Sequence, residues 1–289
     1  MNKKGVASGA TPPAAEPERI SPGSARSLLL TLLGEFVLAS RKPTWTAPLL
    51  HVLAGVGVAE KAARQAIARA AASGWIESER DGRRTAWRIS DGGRRLITEG
   101  SKRVKSLRGD ADVWDGQWLV LHVTLPESRR ADRLRLYRAL SWIGFGNPTA
   151  GVWISPHADR ADDARGVIGD MQLADHTLAF TARSLGFGIP ERDIVGRAWD
   201  LDKVAEHYAA LVERFTTLRP RSGDETLFAH VELVNALQRL PSIDPSLPKA
   251  LLPASWDSRR QALRLWSLRE KWRDPAHAHW DRLAAEMTA

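Results

Sequence analysis

The sequence predicts an α+β multidomain chain, with a helical unit closed by a basic hairpin at the N-terminus, an α/β unit in the middle and a helical unit at the C-terminus. Three observations carry this. Helix-period stripes lead into an Asp-Gly hairpin between residues 24 and 100. Strand-like and helix-like runs alternate from 113 to 198. Helical periodicity then returns from Trp199 to the end. A length of 289 residues suits two or three domains of ordinary size.

Residues 1–23 hold Pro12, Pro13, Pro17 and Pro22 among small and charged residues, with no apolar stretch like that of a signal peptide. A disordered arm is expected there. Ser24 is placed to cap a helix from Ala25 to Ala39, in which Leu28, Leu29, Leu32, Leu33, Phe36 and Val37 form one apolar stripe. Pro43 interrupts. Trp45-Thr46-Ala47 suits a short strand, and Pro48 to Ala54 a second helix opened by its proline. Gly55 and Gly57 break the chain.

The third helix, Val58 to Ser73, is the most informative. At 100° per residue Ala59, Ala63, Ala66, Ile67 and Ala70 share one side. Lys61, Arg64, Gln65, Ala68 and Arg69 share the other. The small inner side permits close packing, and the outer side offers long donors. Gly74 ends the helix. A hairpin follows, Trp75 to Arg80 and Arg83 to Ser90, around the turn pair Asp81-Gly82. Thr85, Trp87 and Ile89 alternate with Arg84, Ala86 and Arg88, which predicts one apolar and one basic face. Ser90-Asp91-Gly92-Gly93 leads into a helix ending near Gly100, and residues 101–112 read as a charged linker.

This order of elements is that of a winged helix-turn-helix over residues 24–100. In that fold the third helix enters the major groove and the wing lies on the backbone or minor groove. Lys61, Arg64, Gln65 and Arg69 are the candidate groove residues, and Arg80, Arg83 and Arg84 the candidate phosphate contacts. Charge placement agrees. Residues 61–108 carry 13 Lys and Arg against 5 Asp and Glu, a surplus equal to the net +8 of the whole chain. A cationic excess confined to one stretch is the footprint expected for phosphates. A solvated basic face, or a winged helix used for protein contacts, is the competing reading.

The middle opens on Gln117 to Leu125, a Leu- and Val-rich strand. A helix is expected over Ser128 to Ile143, a strand over Gly151 to Ser155, a helix over Asp159 to Met171 and a strand over His176 to Thr181. Together they suggest a small α/β sandwich over 113–198. Gly144-Phe145-Gly146-Asn147-Pro148 reads as a turn. Helices are expected over Asp200 to Phe215, Glu225 to Leu240 and Asp257 to Arg273, within a helical unit over 199–289.

Several chemistries lack their residues. There is no cysteine, which removes disulfides and Cys-ligated zinc and suits a cytoplasmic location. No apolar run approaches 18 residues, so no membrane helix is expected. No Walker loop, nucleophile elbow or dinucleotide fingerprint occurs, so no catalytic residue, cofactor or enzymatic activity is assigned. The eight histidines form no tight ligand set, and His277-Ala278-His279 lacks carboxylates at ligand spacing, so no metal ligand is assigned. Trp142, Trp153, Trp199, Trp256, Trp266, Trp272 and Trp280 read as packing residues. The sharper alternative is a pocket for an aromatic effector.

SARSLLLTLLGEFV (24–37), Arg64-Gln65-Ala66, Gly74-Trp75, Arg83-Arg84 and QWLVLHVTLPES (117–128) with Arg133-Leu134-Arg135 resemble the PaaX family of regulators. So do Leu140 with Gly144-Phe145, Gly151-Val152-Trp153-Ile154, Ala198-Trp199-Asp200-Leu201, Asp244-Pro245 with Leu247-Pro248, and Leu251-Leu252-Pro253 with Trp256. The resemblance spans residues 24 to 280. It implies a winged helix, a central ferredoxin-like domain similar to a CRISPR spacer-acquisition nuclease, and a helical C-terminal domain. It also implies a homodimer that represses aromatic catabolism genes and is released by an aryl-CoA thioester such as phenylacetyl-CoA. The related nucleases end their first strand on an Asp that serves metal-dependent cleavage. Here that strand ends Leu121-His122-Val123-Thr124, which disfavours a nuclease. An effector-independent DNA-binding protein is the other alternative.

Overall fold

The computed structural model describes residues 23–40, 42–82, 84–106 and 114–287. The expected arm, apart from Gly23, lies outside the described residues, as do Arg83 and the latter part of the expected linker.

Helix α1 (Ala25–Leu32) starts where its cap predicts. Ser27 N–H donates to Ser24 Oγ at 3.2 Å. The helix then widens into a π turn over Leu33–Val37, and Leu38 N–H reaches back five residues to the Leu33 carbonyl at 2.8 Å. Strand β1 (Thr44–Trp45) runs directly into α2 (Thr46–Gly55), and α3 covers Glu60–Ala72. The alanine side of α3 is buried at Ala63, Ala66, Ile67 and Ala70, while Ala59 lies before the helix and is exposed.

Strands β2 (Ile76–Asp81) and β3 (Arg84–Ile89) form the hairpin, with β1 on the other side of β3. The turn sits one residue later than the sequence predicts. Asp81 pairs with Arg84, so the loop begins after Asp81, at Gly82. Gly82 takes φ +58, the left-handed conformation that a tight hairpin needs at its first loop position. The expected basic face of β3 is also incomplete. Ala86 is 5% exposed, because β1 sets Trp45 opposite it. Only Arg84 and Arg88 remain exposed on that side.

Ser90 accepts from Gly93 N–H at 3.0 Å and opens α4 (Asp91–Ser106). A side chain at Gly93 would sit 2.0 Å from the Trp75 carbonyl oxygen, so only glycine lets the helix pack this close to β2. The helix extends six residues past Gly100, into the expected linker. Val104 explains why, since it is buried against the C-terminal helices.

The middle follows the order β4 (Trp118–Val123), α5 (Arg133–Trp142), β5 (Gly146–Thr149), β6 (Val152–Ser155), α6 (Ala161–Asp170) and β7 (Thr177–Ala182). The sheet is antiparallel, in the order β5-β6-β4-β7. Leu119, Leu121 and Val123 pack on α5 and α6 through Leu136, Leu140, Ala164 and Ile168. Trp118 and Val120 pack the other way, on Val195 and Ala198 of α7 (Glu191–Ala198). Cover on both faces accounts for the unbroken apolar reading of β4. The segment read as a turn is strand β5. Asn147 Nδ2 donates to the Thr149 and Val152 carbonyls at 2.8 and 2.6 Å and holds that irregular edge.

The C-terminal unit is α8 (Leu201–Thr217), α9 (Gly223–Leu237) and α10 (Ser258–Glu286). The sequence places the end of α10 at Arg273, yet the helix continues through Pro275. A proline inside a helix costs about 3 kcal/mol. Burial of Trp272, Ala276, Trp280 and Leu283 along one stripe offsets it.

The units expected to be separate share cores. Leu227 and Val231 of α9 and Ala276, Trp280 and Leu283 of α10 belong to the same apolar cluster as α1, α2 and α3. Asn235 Nδ2 donates to Ser27 Oγ at 2.8 Å and Thr31 Oγ1 at 2.9 Å, and Thr31 Oγ1 donates to Gln238 Oε1 at 2.7 Å. No helix among the described residues is long and apolar enough to cross a membrane.

Candidate nucleic-acid interface

The outer face of α3 follows from its inner one. Alanines bring the helix close to α1 and α2, and the longer residues are left to solvent. Lys61, Arg64, Gln65 and Arg69 are all exposed. Lys61, Arg64 and Gln65 line one shallow depression with Glu60 and Ala68. Arg64 Nε donates to Glu60 Oε1 at 2.8 Å, an exposed pair one helical turn apart. Such a pair is worth about 0.2–1 kcal/mol and yields readily to a phosphate or a base edge.

Arg80 and Arg84 are exposed near the hairpin tip, as predicted, and Arg83 lies outside the described residues. Arg88 is exposed on the sheet surface, where its Nε donates to Glu79 Oε1 at 2.6 Å. Beyond the predicted set, Arg94 and Arg95 line a second depression with Asp91, Thr98 and Glu99. Arg26 stacks over the Trp75 ring at 3.9 Å and donates to Ser73 Oγ at 3.0 Å, which ties the start of α1 to the end of α3.

The structure brings together groups that the sequence keeps far apart. Glu35, in the π turn, receives Arg269 Nη2 at 2.9 and 3.0 Å on its two oxygens. His230 Nε2 donates to Glu35 Oε1 at 3.0 Å, and His277 Nε2 stands 3.6 Å from the same oxygen. Burial works against the Glu35 charge, yet His230, His277 and Arg269 hold its carboxyl well below the usual range. Burial pushes the His230 imidazole down, toward the neutral form. Its Nδ1 has no hydrogen-bond partner.

A second junction lies nearby. Asp224 of α9 accepts from His51 Nε2 of α2 at 3.1 Å and from His279 Nε2 of α10 at 2.8 Å. Partial burial opposes ionisation of Asp224, but the two imidazoles keep its carboxyl below the ordinary value. His277 and His279, which have no carboxylate at ligand spacing in the sequence, thus each meet one from a distant segment. Spacing gives no signal for this, since the partners come from helices that meet only in the fold.

Three successive family models match the chain: PaaX-like protein over residues 24–93, PaaX protein central Cas2-like domain over 111–194, and PaaX-like protein C-terminal domain over 199–282. The chain belongs to the PaaX family. A curated PaaX-family relative, the transcriptional repressor PaaX of Escherichia coli (strain K12), is 29% identical over 247 residues, covering 81% of this chain and 76% of the relative. An uncharacterized protein from Mycobacterium tuberculosis superposes with a TM-score of 0.58 at 23% identity, covering 90% of this chain and 98% of the other, and shares the fold. The PaaX-family segments match the architecture. The first ends inside α4, the second covers the four-stranded sheet, and the third holds α8, α9 and most of α10.

Proposed function

We propose that this chain is a sequence-specific DNA-binding transcriptional repressor of aromatic-acid catabolism genes, released by an aryl-CoA thioester such as phenylacetyl-CoA. One observation carries the DNA-binding part. An alanine-packed helix, α3, presents Lys61, Arg64, Gln65 and Arg69 outward beside a β2–β3 hairpin that carries Arg80 and Arg84. Three helices followed by a hairpin support a winged helix-turn-helix, with α3 in the major groove and the wing on phosphates. The repressor reading also rests on the Escherichia coli relative.

The order β-α-β-β-α-β and the antiparallel arrangement β5-β6-β4-β7 support a ferredoxin-like reading of the middle. Its role in this proposal is assembly, with no catalytic step. Strand β7 is a sheet edge with Leu178 57% and Phe180 52% exposed, followed by Leu185 and Phe187. Long apolar edges invite a second strand. A second copy, adding its own β7 antiparallel, forms a two-fold homodimer that presents two α3 helices to a palindromic operator. Sedimentation of the wild type is expected to give a dimer and that of Phe180→Asp a monomer. A monomeric wild type removes this part. The thioester rests on the family resemblance alone, and a cytoplasmic location goes with the role.

The deciding experiment is titration of the chain on its own upstream DNA and on random duplex, at two salt concentrations, with and without phenylacetyl-CoA. Preference for upstream DNA that weakens with the thioester is expected, because a ligand releases DNA only by favouring the state that binds it poorly. Equal affinity for both duplexes rejects the repressor reading. Preference that the thioester leaves untouched rejects only the effector.

A further inference from the structure

We infer that Glu35, His230 and His277 form a binding site for a divalent transition-metal ion, with zinc as the best fit. The site is independent of the DNA-binding reading. Its three donor atoms, one per residue, lie within 4.8 Å of one another. The Nε2–Oε1 separations of 3.0 and 3.6 Å bracket the edge, about 3.3 Å, of a tetrahedron with bonds of about 2.0–2.1 Å. Two imidazoles and one carboxylate are a donor set that suits zinc and its neighbours better than magnesium or calcium.

Two observations point to an occupant. His277 Nε2 is buried, faces the carboxylate, and has no hydrogen-bond partner. His230 is fully buried, so its ring is fixed by packing with its Nε2 toward the same oxygen. An unpartnered polar atom such as His277 Nε2 in such a place carries a cost that an ion removes.

Arg269 is the group that opposes a cation. It contacts both Glu35 oxygens and is itself held by Glu270 Oε1 at 3.0 Å. A carboxylate that gives one oxygen to the ion and keeps the other on a guanidinium is an ordinary outer-shell arrangement. Here Oε1 turns to the metal and Oε2 stays with Arg269, while Glu270 offsets the added positive charge.

The three ligands come from the π turn after α1, from α9 and from α10. An ion would therefore clamp the N-terminal unit to the C-terminal helices. The π turn sets Glu35 at that junction, as such turns often do at ligand sites.

The test uses the untagged full chain after chelator treatment. Zinc titration by calorimetry is expected to give one ion per chain and a raised melting temperature. Cobalt(II) as a probe is expected to show visible d–d bands of a four-coordinate site. His277→Ala should bind about tenfold more weakly or worse, and His277→Gln, more conservative in size, should behave the same. His279→Ala, which alters the contacts to Asp224 and Arg282 and none of the three ligands, should bind as the wild type does. No saturable zinc binding overturns the assignment. So does retention of wild-type affinity in both His277 variants, or loss of binding in His279→Ala in their place.

Discussion

Replacing Arg64 and Arg69 together with alanine is expected to remove most of the operator affinity and leave the fold intact. Both side chains project from the outer face of α3, and neither belongs to the buried core. A guanidinium that meets a guanine edge or a phosphate contributes about 1–3 kcal/mol, so the pair should cost about 2–6 kcal/mol, or about 30-fold and more. The Arg64–Glu60 pair subtracts little, because an exposed i,i+4 pair is nearly thermoneutral. The salt dependence separates the roles. Each lost phosphate contact lowers the slope of log affinity against log salt by about 1, whereas a lost base contact relaxes sequence preference. Fluorescence anisotropy on specific and random duplex at several salt concentrations reads both. Melting should shift by no more than a surface substitution does, about 0.5 kcal/mol. Unchanged affinity in the double variant would remove α3 from the interface.

Trp280→Ala is expected to destabilise the N-terminal unit from the far end of the chain. Trp280 is 4% exposed and stacks on Phe36 with ring centroids 5.1 Å apart. It lies in the same core as Leu29, Leu32, Leu49 and Ala63. Truncating a buried tryptophan costs about 3–5 kcal/mol, through lost transfer energy and the cavity left behind. That is a large part of a typical domain stability. Denaturant unfolding should show the loss in a single transition shared by both units. DNA affinity should fall with it, because α3 is positioned by this core. A loss below about 1 kcal/mol would mean that the N-terminal core closes without α10. Trp142→Ala is the matched control. That ring is 55% exposed, so its removal should have a small effect.

Local pattern carried much of the first hundred residues. Ser24 capped α1 because a hydroxyl beside orphan amides needs no tertiary help. The alanine side of α3 was legible because one period sets which residues face inward. The errors arose where remote contacts overrode local preference. Gly146 and Asn147 read as a turn, but an edge pairing with β6 drew them into a strand. Arg273 read as the end of the last helix, but a buried stripe carried α10 on through Pro275. Gly100 read as an end, but Val104 found a core supplied by the C-terminal helices.

Charge placement and the outward residues of α3, including Lys61, Arg64, Gln65 and Arg69, are legible in the chain alone. Each of these depends on composition or on a period of a few residues, which no distant contact alters. That the N-terminal unit and the C-terminal helices share one core is visible only in the tertiary structure. It alone placed Glu35, His230, His277 and Arg269 around a common point. Glu35 and His230 stand 195 residues apart. Between side chains that far apart, contact is set by how helices pack, and a single sequence carries no periodic trace of it.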